Sequence, residues 1–103
     1  MMEKNNKLPA TVDEAVNFLM DELSFGDRTI IANMKEEDIG LLDFAFRNRI
    51  KGEFGLGNGN KKLLQSCRFG SGKPSIDLDS ALAFIIRRLW NTVHNTRVMK
   101  AVK

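Results

Sequence analysis

Cysteine and histidine occur once each in this chain, as Cys67 and His94. A lone cysteine excludes an internal disulfide and suits a reducing compartment. Two such side chains are too few for a zinc site, which takes four ligands, or three and a water, mostly Cys and His. A Cys–His nucleophile and base also need a third residue to orient the base, and nothing local to either supplies one. Long apolar runs are missing too. None approaches the ~18 residues that cross a bilayer. The opening MMEKNNKLPA holds no apolar stretch of secretory-signal type. The expected location is the cytoplasm, with no membrane partner. No segment carries a strand signal that survives comparison with a helical reading, and neither an internal repeat nor a low-complexity tract is present.

What remains is globular. The 103 residues are 43% hydrophobic and 28% charged, a composition and length suited to one domain with one core. The net charge of +3 divides unevenly along the chain. Residues 1–46 carry four basic and ten acidic side chains, a net −6, and residues 47–103 carry twelve and three, a net +9. Such asymmetry marks a surface for an anionic partner, unless acidic helices pack beside basic ones and the fields cancel.

Leu78–Val93, LDSALAFIIRRLWNTV, is the most apolar segment. Leu78, Leu82, Ile85, Leu89 and Val93 recur at helical spacing, and Ala81, Phe84, Ile86 and Trp90 widen the stripe. Only Asp79, Arg87, Arg88 and Asn91 form a polar strip. A helix apolar over so much of its circumference packs against several neighbours. The fold class expected is therefore all-α: a compact array of four to five helices around a central C-terminal helix at about 78–94.

The domain expected covers residues 9–95, with a flexible tail at 1–8 and a tail or frayed helix extension at 96–103. Thr11-Val12-Asp13-Glu14 reads as a capping box opening the first helix, with Val12, Ala15, Val16, Leu19, Met20 and Leu23 inward. Ser24–Gly26 reads as its end, Gly26 being free to take a positive φ. Asp27 then caps a short helix burying Ile30, Ile31 and Met34. A third helix runs from about Glu36 to Lys51, acidic at its start and basic at its end as the macrodipole favours. Ile39, Leu42, Phe46 and Ile50 form its apolar face, flanked by Leu41, Phe44 and Ala45, with Gly52 as its stop. GEFGLGNGN at 52–60 reads as a loop pinned by Phe54 and Leu56. Asn60 caps a short helix, Lys61–Cys67, and Arg68–Ser75 reads as a second loop before a cap at Asp77 or Ser75.

Gly70–Ser75, GSGKPS, ends like a phosphate-binding P-loop. Cys67 stands where that motif needs glycine, Pro74 where it needs Ser or Thr, and a helix where it needs a strand. A surface turn accounts for it. Glu36, Glu37 and Asp38 read as a solvated first turn rather than acid–base machinery. No catalytic group, cofactor or metal site is expected.

Two surfaces are candidates for a partner. The Gly-rich loop, through Phe54, Leu56, Asn58 and Asn60, mixes apolar anchors with flexible glycines, as binding loops do. Arg47, Arg49, Lys51, Lys61 and Lys62 would make a phosphate-binding patch if they converge, with Phe54 and Phe69 placed to stack on bases. The expected function is a non-catalytic protein-interaction module. The alternative is nucleic-acid binding through the basic patch around residues 47–73.

Two stretches resemble a small bacterial helical family of unknown function. Its pattern opens with a proline and a capped helix, as in Leu8-Pro9-Ala10-Thr11 through Leu19. A middle helix then runs into a sequence like Ile-Arg-Asn-x-Phe-Gly-Leu-Trp, followed by Gly-Asn and a leucine pair. Ile50-Lys51-Gly52-Glu53-Phe54-Gly55-Leu56-Gly57 is similar to this, followed by Gly59-Asn60, Leu63 and Leu64. Asp77, Ser80, Ile85, Ile86, Leu89 and Trp90 are similar to the family's last helix. The chain departs from the pattern at Lys51-Gly52 and Gly57. The resemblance implies a fold and a bacterial source, and no activity.

Overall fold

The computed structural model describes the backbone of residues 8–102 and the side chains of residues 8–95. The tail expected at residues 1–8 therefore lies outside the described residues except for Leu8. Among the described residues the chain is all-α, with five α-helices and two short 3-10 turns. The α-helices are α1 (Val12–Glu22), α2 (Phe25–Ala32), α3 (Ile39–Glu53), α4 (Lys61–Ser71) and α5 (Leu78–Val102). The 3-10 turns, Glu36–Asp38 and Leu56–Asn58, flank α3.

α5 is the hub, touching each of the other four α-helices. Its Ala81, Leu82, Ile85, Ile86, Leu89 and Val93 are buried, while Leu78, Phe84 and Trp90 are partly buried against the same core. Around it lie Val12, Ala15, Val16 and Leu19 from α1, Ile31 from α2, Leu42 and Ile50 from α3, and Leu63 and Cys67 from α4. A helix covered on so many sides cannot be moved without disturbing every interface, because cores pack like crystals. Its start is set by Asp77, whose Oδ1 accepts from the Ser80 amide at 2.8 Å. The Ser80 side chain, and after it that backbone bond, hold the Asp77 carboxyl below its ordinary range.

The capping box at α1 forms with one change. Thr11 Oγ1 accepts from the Glu14 amide at 3.1 Å, whereas the Glu14 carboxylate accepts from the Ala10 amide at 2.8 Å. α1 ends without a basic residue in its last turn. Arg28 of α2 donates instead to the Met20 carbonyl at 2.9 Å, placing a cation at the negative end of the dipole.

Gly26 and Gly52, expected to stop helices, and Gly70, expected in the loop at 68–75, all lie inside helices. Gly26 falls in the first turn of α2, because Ser24 and Asp27 form a reciprocal capping box that starts this helix earlier. Ile30 consequently points to solvent and only Ile31 of α2 is buried. α3 runs through Gly52 to Glu53 and is stopped by Gly55 at φ 72°. α4 continues past Cys67 through Gly70 to Ser71, and Gly72 at φ 74° ends it. Gly70 permits close packing of α4 on α5: a Cβ there would stand 2.7 Å from Phe84 Cζ.

Candidate functional site

The Gly-rich loop is built largely from its own side chains. Phe54 and Leu56 are buried, and Phe54 meets the Phe18 ring edge-on with centroids 6.0 Å apart. Gly55 and Gly59, both at positive φ, let the backbone turn between them. Asn60 Oδ1 accepts from the Leu63 amide at 3.2 Å and caps α4. Its Nδ2 donates to the carbonyls of Pro9 at 2.9 Å and Phe54 at 2.7 Å. Of Phe54, Leu56, Asn58 and Asn60, Asn58 alone presents an exposed side chain. The other three join the loop, the N-terminal segment and α4, which explains the alternation of apolar residues with glycine.

The basic residues in mid-chain do not form one patch. Arg47 and Arg49 are two positions apart on α3, so they point roughly 200° from one another around the helix. Arg47 bridges Asp43 at 3.0 Å and Asp79 at 3.3 Å, and Asp43 and then Asp79 hold its guanidinium more firmly charged. Arg49 turns the other way, to Glu22 at the end of α1, and also meets Glu53 at 3.3 Å. Farther on, Arg87 pairs with Glu36 at 2.7 Å and Arg88 with Asp13 at 3.2 Å. The acidic first half and basic second half thus interlock across helix boundaries. Lys51, Lys61, Lys62, Arg68 and Lys73 take part in none of the ion pairs among the described residues.

Cys67 and His94 have separate structural duties. The Cys67 thiol is buried and lies 3.8 Å from the Ala81 carbonyl. Burial pushes it up to about 11, so almost none of it is the nucleophilic thiolate at neutral pH. His94 stacks on Trp90 with ring centroids 4.0 Å apart, and its Nδ1 donates to the Trp90 carbonyl at 2.9 Å. Trp90 Nε1 in turn donates to the Met34 carbonyl at 3.0 Å, tying the segment after α2 to α5. Among the described residues no group of three or more His, Cys, Asp or Glu side chains is placed to hold a metal. Nor is any helix there long and apolar enough to cross a membrane.

The apolar surface left in solvent lies elsewhere. Leu41 and Phe44 of α3, expected to flank a buried face, are 66% and 85% exposed. They are three residues apart and so adjacent on the side opposite Leu42 and Ile50. Ala45 and Asn48 are exposed beside them, and Gly40 has open space where a Cβ would stand. Residues 40, 41, 44, 45 and 48 make an uncharged strip, with Glu37 one turn before it and Lys51 one turn after. The signal was available: on a helix of 100° per residue Leu41 and Phe44 cannot share the face of Ile39, Leu42, Phe46 and Ile50. Phe25 of α2 and Phe69 of α4 are the other strongly exposed aromatic residues.

No protein-family model, curated protein or solved structure matches the chain.

Proposed function

We propose that this chain is a non-catalytic, cytoplasmic protein-interaction module, and that it binds an amphipathic helix of another protein along the outer face of α3. The observation that carries this is the exposed Leu41–Phe44 pair within an uncharged strip. Leaving two large apolar side chains in water contributes nothing to folding, whereas apolar pairs at such spacing are the anchors of helix recognition. Gly40 and Ala45 would allow close approach of a partner backbone. Glu37 and Lys51, of opposite sign at the two ends, favour one direction of the docked helix. The inert thiol of Cys67 and the stacked ring of His94 favour binding over catalysis.

The family resemblance is compatible with this reading. Of the residues that carry it, Phe54, Leu56, Leu63, Ile85, Ile86 and Leu89 are core, and Asn60 and Asp77 are caps. Membership is therefore a proposal about the fold rather than about a site.

The test is affinity capture from native cells with the wild-type chain and a Leu41→Glu/Phe44→Glu variant. A partner retained by the wild type and lost from the variant supports the reading. Equal retention, or turnover of a small molecule abolished by Cys67→Ala or His94→Ala, overturns it.

A further inference from the structure

A second surface lies on the outer side of α4. Between Glu53 and Asp77 the chain holds no acidic residue, yet it carries Lys61, Lys62, Arg68 and Lys73. Leu63 and Cys67 face the core, and Gly70 faces Phe84, so helical rotation sends Lys61, Lys62, Gln65 and Phe69 outward. All four are exposed. Arg47 and Arg49 of α3 and Arg87 and Arg88 of α5 behave differently, each being tied to a carboxylate. On the α4 side Asp77 feels Lys73 while capping α5.

Folding does not call for these groups. Lys61 and Lys62 occupy the first turn of α4, the positive end of the dipole, where a cation is unfavourable. Phe69 is 69% exposed, and the Arg68 guanidinium lies 4.5 Å from its ring centroid. An exposed aromatic ring with a planar cation beside it, next to lysines that meet no carboxylate among the described residues, is the combination that holds single strands: bases stack on the ring and phosphates meet the cations. Lys62 and Phe69 are two turns apart, about 10 Å along the helix at 1.5 Å per residue, which suits several consecutive nucleotides.

We infer that the outer face of α4, centred on Phe69 with Lys61, Lys62, Arg68 and Lys73, binds single-stranded nucleic acid. The inference is independent of α3, and its failure leaves the helix-docking surface untouched. Phe69 replaces Phe54 as the stacking residue, because Phe54 is buried.

The experiment titrates the full chain into a fluorescein-labelled 15-nucleotide oligo-dT and its RNA counterpart, reading anisotropy at several salt concentrations. A complex at low salt is expected, with log affinity falling against log salt at a slope of roughly −2 to −3 for three or four phosphate contacts. Lys61→Glu/Lys62→Glu should weaken binding more than tenfold and Phe69→Ala roughly tenfold, as loss of one stacked base does. Both changes lie on the surface, and glutamate suits the first turn of α4. Unchanged thermal melts confirm that the variants are folded. Phe69→Trp should bind as well as wild type and show quenched emission on binding. No complex at about 100 μM, the weak end of non-specific binding, overturns the inference. So does Phe69→Ala binding as tightly as wild type, or polyglutamate competing as well as the oligonucleotide, which would make the surface one for acidic proteins.

Discussion

Cys67 and Gly70 are both set by how closely α4 lies on α5. The Cys67 thiol, pushed up to about 11 by burial, stays neutral in the folded protein while the unfolded thiol ionises at about 9. Stability is therefore fully retained below pH 9, falls between pH 9 and 11, and levels off above. The maximal loss is on the order of 2–3 kcal/mol at 1.36 kcal/mol per unit. Urea melts across this range should show the fall in wild type and its absence in Cys67→Ala. Gly70→Ala tests the contact directly. It brings roughly 1 kcal/mol of helix propensity, but its Cβ would meet Phe84 at 2.7 Å, and overpacking costs about 1–3 kcal/mol. The change should destabilise the wild type and stabilise a Phe84→Ala background. A stabilised Gly70→Ala single variant would show that the ring moves aside freely.

At the scale of elements, caps decide where helices start, and packing decides where glycine is tolerated. Asn60 caps α4 while also satisfying the Pro9 and Phe54 carbonyls. Ser24 serves only the start of α2. Ser24→Ala should cost about 1 kcal/mol, as a lost N-cap does. Asn60→Ala should cost about 2–3 kcal/mol, because two carbonyls lose their donor as well. Equal losses in denaturant melts would mean that the loop tie contributes nothing. These same features decide what could be read in the chain beforehand. The caps at Thr11, Asn60 and Asp77 were legible, since each rests on contacts within a few residues, and the pins at Phe54 and Leu56 were legible from their alternation with glycine. Gly26 and Gly52 were misread as breaks, and Gly70 as part of a loop. Glycine is a weak stop when a capping box starts the helix upstream, or when a neighbouring helix fills the space of the missing side chain. The partner of Arg49, Glu22 on α1, could not be read, because it depends on how α1 and α3 are juxtaposed.

On the scale of the whole molecule, three ion pairs between helices join the acidic first half to the basic second half. The cross-helix pairs Arg87–Glu36, Arg88–Asp13 and Arg49–Glu22 are partly exposed, so each is worth at most about 1 kcal/mol and is screened by salt. Raising salt should therefore lower stability only slightly. The core around α5 carries the stability instead, and its stripe was readable because every buried position of that helix repeats at helical spacing. On α3 the buried face was legible too, but Leu41 and Phe44 were taken to flank it although helical rotation sets them opposite Leu42 and Ile50. Inside and outside of the core are compared most directly by truncating one large apolar side chain from each and measuring both in the same urea melts. Leu89→Ala should lose about 2–5 kcal/mol, the range for a core truncation. Phe44→Ala should stay within about 0.5 kcal/mol of wild type, as surface changes do. That result would leave the outer face of α3 uncommitted to folding and open to a partner. Comparable losses from the two variants, or a loss below about 1 kcal/mol for Leu89→Ala, would contradict both the central place of α5 and the freedom of α3.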